Sequence, residues 1–104
     1  MYNLSNGDVE KTLADYAPDA FMINQNKVIR GTEELRAHFE NSVNNVLIPG
    51  TKSETLIKQC VGNIAYVVWK AENDKLIFPY ASDTFVIENG KIVAQTFAAV
   101  VQKK

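Results

Sequence analysis

Asp83 is the side chain whose setting most favours acid–base chemistry. It lies inside the apolar and aromatic run of residues 78–87, where strand alternation places it on one face with Ala81, Phe85 and Ile87. If that face lines a cavity, desolvation raises the pKa of Asp83 and keeps the carboxyl protonated, able to donate a hydrogen bond to a ligand carbonyl or enolate. The alternative is a partly hydrated carboxyl bonded to a neighbouring hydroxyl group.

His38 is the single histidine of the chain. It follows Leu35 by three residues and precedes Phe39, at the edge of an apolar stripe with helical spacing. An imidazole can act as a general base when a carboxylate orients it or a substrate lies within hydrogen-bond distance. The alternative is a structural residue at the border of the apolar face. Asp83 and His38 are therefore the candidate catalytic residues.

The elements that must position these side chains are helices followed by strands. Helical spacing of apolar residues predicts a first helix over 8–17, ended by Pro18, and a second over 32–44, capped by Thr32. Short strands are expected at 20–23 and 28–30, and long β-branched and aromatic runs predict four further strands at 55–61, 64–71, 76–87 and 91–101. Short separators between these four predict an antiparallel meander. The fold class is α+β, with N-terminal helices packed on a strongly bent antiparallel sheet.

The strands at 64–71 and 91–101 are apolar on both faces, which bears on assembly. A sheet with helices on one side normally exposes polar residues on the other, so a second apolar face needs a cover. The simplest cover is the same face of a second subunit, and we expect a homodimer interface formed by Val67, Trp69, Thr96 and Ala98. The alternative is a sheet curled so strongly that both faces are partly internal.

Composition limits the remaining function classes. The 104 residues form a single domain, 1–104, and 11 Lys and Arg against 12 Asp and Glu leave a net charge of −1. Neither nucleic acid nor a membrane is an expected partner. The single cysteine, Cys60, is expected to be a buried small hydrophobic residue. Having one cysteine and no signal-like N-terminus favours a cytoplasmic location. We expect no metal and no cofactor, since neither a ligand cluster nor a glycine-rich phosphate loop is present in the sequence.

Five phrases, in order and at plausible spacing, resemble the SnoaL-like branch of the nuclear transport factor 2-like (NTF2-like) superfamily. They cover nearly the whole chain and are Asn6-Gly7-Asp8-Val9-Glu10, Tyr16-Ala17-Pro18-Asp19-Ala20, Gly31-Thr32-Glu33-Glu34-Leu35-Arg36, Gly62-Asn63-Ile64-Ala65-Tyr66, and the run from Asp83 to Val93. The resemblance implies the cystatin-like cone shared with ketosteroid isomerases. In that cone a bent sheet and helices enclose a pocket, and the convex face commonly dimerises.

The resemblance also implies a set of ligand-binding residues. Gln95 and Phe97 belong on the concave face, and Asp83 matches the second pocket acid of the isomerases. In those enzymes this acid stays protonated near neutral pH and donates a hydrogen bond. Hydroxyl groups of Tyr16 and Tyr66 either face the pocket or pack with their rings in the core. The predicted ligand contacts are Tyr16, Asn24, Tyr66, Phe85, Gln95 and Phe97.

Two departures from the family pattern weaken the isomerase reading. Only residues 1–6 precede Gly7, where relatives carry a full helix with a tyrosine that polarises the substrate carbonyl, so we expect part of a pocket wall to be missing. The proton-shuttling Asp aligns with Asn24, whose amide does not take up a proton near neutral pH. The acidic catalytic residues of limonene-epoxide hydrolases also have no counterpart here, because residues 64–71 and 91–104 contain no Asp or Glu.

The sequence thus predicts a small homodimeric domain that binds a small hydrophobic molecule in an internal pocket. Isomerase- or cyclase-like proton transfer is an open extension of this function. The alternative is a non-catalytic dimerisation or partner-binding module whose pocket is filled by its own side chains.

Overall fold

A computed structural model of the chain describes residues 8–48 and 50–104. Along the chain the elements are α1 (Val9–Leu13), β1 (Tyr16–Ile23), β2 (Val28–Arg30), α2 (Gly31–Asn45), β3 (Lys52–Val61), β4 (Ile64–Glu72), β5 (Leu76–Glu88) and β6 (Lys91–Lys103). The architecture is α+β, as predicted, with helices on one side of one sheet. The prediction that part of a pocket wall is missing before Gly7 concerns residues outside this described part. Pro49 lies outside it as well.

The first helix is shorter than the sequence predicts. Asp8 caps α1 by accepting the Lys11 amide at 3.0 Å, but the helix ends at Leu13 rather than at residue 17. Tyr16 pairs with Ile92 instead, and the Ile92 amide donates to the Asp15 carbonyl at 2.8 Å. Pro18 favours extended geometry at the residue before it, so the sheet takes residues that the apolar spacing alone assigns to the helix.

The second helix places its apolar stripe as predicted, with Leu35, Phe39 and Val43 buried. Its start differs in detail. Arg30 is the N-cap and makes no side-chain capping bond, while Glu34 accepts the Arg30 amide at 2.9 Å. The predicted cap by Thr32 is therefore wrong, since Thr32 lies within the first turn, and Glu34 instead accepts the amide of the N-cap residue.

The six strands form one mixed sheet in the order β2-β1-β6-β5-β4-β3. The predicted antiparallel meander is present from β3 to β6, and β1 and β2 form a hairpin, but β1 runs parallel to β6. No short turn joins β1 to β6, so no hairpin fixes their relative direction. Asn89 and Gly90, both at positive φ, make the tight turn between β5 and β6.

Register shifts interrupt the pairing of β6 with β1, of β3 with β4, of β4 with β5 and of β5 with β6. Such bulges bend a sheet and strengthen its twist. Its two faces consequently differ. The inner face packs with the helices in a core that contains Ala65, Val67, Phe85, Leu35 and Phe39.

The placement of Val67 and Trp69 on the outer face is wrong. Val67 is 6% exposed within the inner core, and Trp69 packs against that core with its ring stacked on Phe97. The register explains the difference, since Val67 lies opposite Asp83 and Asp83 lies opposite Phe97, so all three share one face. Cys60, predicted to be buried, is exposed on β3, an edge strand whose ten residues are all exposed.

Thr96 and Ala98 are exposed, and they alternate along β6 with the inward Gln95 and Phe97. They therefore lie on the outer face, and the dimer interface expected there stays a prediction. Across the described part of the chain, no helix combines the length and apolar character that a membrane crossing requires.

Candidate functional site

Four side chains from four strands form a hydrogen-bonded chain on the inner face of the sheet, which we call the inner polar cluster: Tyr16 of β1, Gln95 of β6, Asp83 of β5 and Trp69 of β4. The Tyr16 hydroxyl donates to Gln95 Oε1. Gln95 Nε2 donates to Asp83 Oδ1 at 2.7 Å, and Trp69 Nε1 donates to Asp83 Oδ2 at 2.8 Å. Each carboxylate oxygen thus accepts one hydrogen bond from a different neighbouring strand.

The strand register brings these residues together. Gln95 lies opposite Phe85, two residues beyond Asp83, and Trp69 lies opposite Ala81, two residues before it. Both therefore flank Asp83 diagonally on the same face, at a distance that long side chains span. The order of strands places β1 beside β6, so Tyr16 reaches Gln95 from the other side.

The cluster is sealed from solvent at its centre. Gln95 is 1% exposed, Asp83 5% and Tyr16 7%. Burial is the largest influence on Asp83 and raises the pKa of its carboxyl, while hydrogen bonds from Trp69 and Gln95 act in the opposite direction. This is the direction expected from the sequence, although the partners are an indole and an amide rather than a hydroxyl group.

Aromatic rings surround the carboxyl on the side of β4 and β6. Trp69 stacks on Phe97 with ring centroids 6.3 Å apart and packs against Phe78 at 5.8 Å. Trp69 and Phe97 are both half-buried, whereas Phe78 is buried. The polar cluster therefore lies beside an apolar, partly accessible aromatic surface.

The structure does not bring His38 to Asp83. His38 lines an open cleft of about 390 Å³ between α2 and β2, with Lys27, Ile29, Glu34 and Asn41 among its other lining residues. β2 is three strands from β5 in the sheet, and burial, followed by the charge of Lys27, lowers the pKa of His38. The two candidate catalytic residues thus occupy separate places and form no acid–base pair.

Two predicted ligand contacts lie outside the cluster. The Asn24 side chain closes the turn between β1 and β2, where Oδ1 accepts the amides of Asn26 and Lys27 at 2.9 and 3.0 Å. Tyr66 is on the outer face, 37% exposed, where a hydrogen bond with Tyr80 raises the pKa of its hydroxyl. Alternation along β4 requires this, because Ala65 and Val67 on either side of Tyr66 both point inward.

The remaining predicted contacts are on the inner face. Gln95 and Tyr16 belong to the cluster, Phe97 borders it, and Phe85, 1% exposed, packs in the core beside it. Sequence reasoning missed Trp69 as a partner of Asp83. The available signal was the length of the indole side chain and its N–H donor, which needs an acceptor when it is buried.

A second polar cluster, also missed, is structural. Asn73, 7% exposed in the turn between β4 and β5, donates to the Val46 carbonyl at 2.9 Å and to Thr51 Oγ1 at 3.0 Å. Its Oδ1 accepts the amides of Lys75 and Leu76. Asn73 therefore ties this hairpin to the connection between α2 and β3. Within residues 8–48 and 50–104, no three His, Cys, Asp or Glu side chains gather as metal ligands do.

Solved structures with the same fold include several proteins of the class suggested by the sequence. SalBIII, an epoxide hydrolase/cyclase-like enzyme with a role in pyran ring formation in the polyether salinomycin, is 19% identical with a TM-score of 0.81, over 98% of this chain and 88% of that one. A putative polyketide cyclase from Sinorhizobium meliloti is 19% identical with a TM-score of 0.75, over 91% and 85%. A SnoaL-like protein of unknown function from Burkholderia thailandensis is 14% identical with a TM-score of 0.77, over 94% and 86%.

These similarities show that the chain has the α+β fold of NTF2-like, SnoaL-like and ketosteroid isomerase-like proteins. No protein-family model matches the sequence, and neither does any curated protein. At such low identity the similarity extends to the fold, and the function must be argued from the site.

Proposed function

We propose that this chain is a cytoplasmic, homodimeric domain that binds a small hydrophobic molecule carrying one polar group, with that group directed to the inner polar cluster. The observation that carries the proposal is Asp83, a carboxyl 5% exposed on the inner face and bonded by Trp69 and Gln95. The aromatic surface of Trp69 and Phe97 would contact the apolar part of the molecule.

Packing alone gives no reason for a carboxyl at this position. Burying an ionisable group is costly, and a branched aliphatic residue between Val67 and Phe97 would avoid that cost, although it would leave the Gln95 amide and the Trp69 indole without their acceptor. A pocket of mainly apolar lining with a few convergent polar groups is the usual form of a small-molecule site. Asp83, Gln95 and Tyr16 supply those polar groups.

Access to the aromatic surface supports the same reading. The helix α2 packs on β1 and β2, while β3 at the far end of the sheet leaves all its residues exposed. Trp69, on the strand next to β3, is half-buried rather than fully enclosed. A flat apolar molecule could therefore stack on Trp69 and Phe97 and present a polar atom to the cluster.

Binding is the function that the contacts favour over proton-transfer catalysis. An isomerase or cyclase needs a base close to the reacting carbon, and His38 lies in the separate cleft against β2. The Asn24 amide is engaged in its turn. The putative cyclase and the cyclase-like enzyme among the fold neighbours make chemistry on such a ligand a reasonable extension, with Asp83 as the oxyanion donor.

The test uses two probes of matched shape, 2-acetylnaphthalene with a carbonyl group and naphthalene without one. Amide chemical shifts are followed as each probe is titrated. We expect shifts centred on Trp69, Gln95 and Phe97, and a dissociation constant about ten times lower for the ketone, the gain from one hydrogen bond. The variant His38→Gln serves as the control and should bind equally well. Shifts confined to the cleft of His38, or no preference for the ketone, would refute the proposal.

The homodimer part of the proposal rests on the outer face. That face exposes several large apolar side chains, among them Ile57, Ile64, Tyr66, Tyr80 and Val100. Their exposed neighbours Thr96 and Ala98 add small residues that permit close packing. Such a patch is typical of a protein interface, and a second copy packed by two-fold symmetry would cover it.

Sedimentation tests the dimer. We expect wild-type protein to sediment as a dimer at micromolar concentration and Val100→Glu as a monomer. Val28→Glu is the matched control, since Val28 is similarly exposed but lies on the edge strand β2. A monomeric wild type, or a Val100→Glu variant that stays dimeric, would contradict this interface.

One observation favours the alternative of a non-catalytic module. Among the described residues, every buried polar side-chain atom already has a hydrogen-bond partner. A ligand would then have to compete with bonds inside the protein. The ketone titration separates the two functions, because a module with a filled interior would show no shifts on the inner face.

A further inference from the structure

We propose that the cleft between α2 and β2 is a second binding site, which takes a zwitterionic dipeptide with apolar side chains. This inference is independent of the proposed function, because it concerns another part of the molecule and another class of ligand. The cleft has a volume of about 390 Å³ and lies between β2 and one face of α2. A cavity of this size accommodates a small ligand.

The two walls of the cleft run along each other in opposite directions. Glu34, near the start of α2, accepts the amide of Arg30 at the end of β2, at 2.9 Å. One turn farther along α2, His38 lies close enough to Lys27, just before β2, for the charge of Lys27 to lower the pKa of His38. Glu34 and Lys27 therefore lie toward opposite ends of the cleft.

These two ends carry opposite charges. The ammonium group of Lys27 is at one end, and the carboxylate of Glu34 is at the other. Among the described residues, neither of them has an ion-pair partner. A ligand with a carboxylate at the Lys27 end and an ammonium group at the Glu34 end would complement both charges.

Neighbouring polar groups strengthen each end of the cleft. Asn41, on the part of α2 beyond His38, accepts from Asn45 Nδ2 at 2.9 Å through its Oδ1, so its own NH₂ group is the part that can donate to a ligand carboxylate. Glu34 meets the Arg30 amide through Oε1, which leaves Oε2 for a ligand ammonium group. The Arg30 guanidinium lies over the Phe21 ring, 5.8 Å from its centroid, rather than against Glu34.

The main chain of β2 offers hydrogen-bonding groups between the two ends. β2 is an edge strand, with β1 on its other side. The Asn24 amide donates to the Lys27 carbonyl at 3.1 Å, so antiparallel alternation turns the N–H and C=O groups of Val28 toward the open side. The Arg30 amide points the same way, since it donates to Glu34. Val28 thus presents the donor and acceptor with which an edge strand binds an extended peptide.

The length of the cleft favours two residues. From Lys27 to Arg30 the strand advances about 10 Å, and from Glu34 to Asn41 the helix advances about the same distance. One extended residue spans about 3.5 Å and reaches a single end, whereas three span about 10 Å and leave no room for the terminal contacts. A dipeptide spans about 7 Å and fits between the two charged side chains.

The middle of the cleft suits the peptide group and an apolar side chain. Ile29 is buried, and the small Ala37 lines the opposite wall, so an apolar ligand side chain can lie between them. Among the described residues, His38 contacts the ring of Phe39 and forms no hydrogen bond. A ring nitrogen of His38 is therefore available to the peptide group of the ligand.

The test titrates the protein with three probes, Leu-Leu, N-acetyl-Leu-Leu and Leu-Leu amide, and follows the backbone amide chemical shifts. We expect shifts centred on Val28, His38 and Asn41. Acetylation removes the positive charge and amidation the negative one, so each modified probe should bind about fivefold more weakly than Leu-Leu, the effect of one partly exposed ion pair. Free leucine and trileucine should also bind more weakly than Leu-Leu.

Two variants assign the ends. Glu34→Gln should abolish the preference for Leu-Leu over the acetylated probe and keep the preference over the amide, and Lys27→Met should do the reverse. Lys58→Met, on the opposite edge strand β3, is the matched control and should behave as wild type. A general loss of folding cannot produce this crossed pattern, because it would weaken all three probes together.

Equal affinity for the three probes, or shifts outside the cleft, would overturn the inference. The absence of dipeptide binding would overturn it as well. None of these results touches the proposed function, which is tested by 2-acetylnaphthalene at the inner polar cluster. Conversely, a failure of the ketone to bind there would leave the dipeptide site standing.

Discussion

The pH dependence of folding measures the environment of Asp83 directly. Burial raises the pKa of this carboxyl above its ordinary value of 3.8, against the opposing hydrogen bonds from Trp69 and Gln95. Between the ordinary and the raised value, the folded protein binds a proton that the unfolded chain does not. Stability from this group is therefore fully present below about pH 4 and is lost as the pH rises through the folded pKa.

The magnitude follows from the linkage relation. Each unit of difference between the folded and unfolded pKa corresponds to about 1.4 kcal/mol of unfolding free energy. The steepest slope attributable to Asp83 is thus about −1.4 kcal/mol per pH unit. The exposed acids Glu10 and Glu72, whose pKa values are lowered by ion pairs with Arg36 and Lys104, contribute with the opposite sign.

Urea unfolding of wild type and Asp83→Asn between pH 3 and 8 isolates the buried group, since Glu10 and Glu72 are common to both proteins. We expect the stability of wild type relative to the variant to fall with rising pH and then level off. Asp83→Leu should be about 1–3 kcal/mol less stable than Asp83→Asn, because it leaves the Gln95 amide without its acceptor. A flat or rising difference would show that the two donors outweigh burial, and the account of the cluster would be refuted.

Two further predictions concern groups outside the cluster. Asn73→Ala removes four hydrogen bonds at a buried turn and should lower the unfolding free energy, measured in urea, by about 2–4 kcal/mol. The control Asn45→Ala loses one exposed bond to Asn41 and should change the unfolding free energy by less than about 0.5 kcal/mol. Equal effects of the two substitutions would contradict the role given to Asn73. Burial lowers the pKa of His38, so the unfolded chain binds the proton first and wild type should lose stability as the pH falls below about 6.5. His38→Gln should remove this loss of stability. The same pH profile of stability in the variant and in wild type would contradict the burial of His38.

The sequence predicts the strands of the meander well because their signals are local. Long β-branched runs separated by short polar turns define β3 to β6, and the stripe of Leu35, Phe39 and Val43 defines α2. The end of α1 was not predictable from spacing, because Tyr16 pairs with Ile92, a residue 76 positions away. Long-range pairing of this kind overrides local periodicity.

The site was predicted in part, for a related reason. Alternation along β5 correctly groups Asp83 with Ala81 and Phe85, but it does not say which face of β4 joins them. Bulges shift the register between Trp69 and Ala71 and between Val86 and Ile87, so counting from the turns gives the wrong parity. Trp69 was therefore assigned to the outer face and Tyr66 to the inner face, whereas Trp69 lies on the inner face and Tyr66 on the outer face.

The most direct test of the central claim is the position of a bound ketone. Intermolecular cross-relaxation from the methyl group of 2-acetylnaphthalene, which adjoins its carbonyl, reports which protein protons surround the polar end. Binding at the inner polar cluster predicts contacts with the Tyr16 ring and the Trp69 indole. Contacts with His38 and Val28 in the cleft, or with Tyr66 and Tyr80 on the outer face, would contradict it.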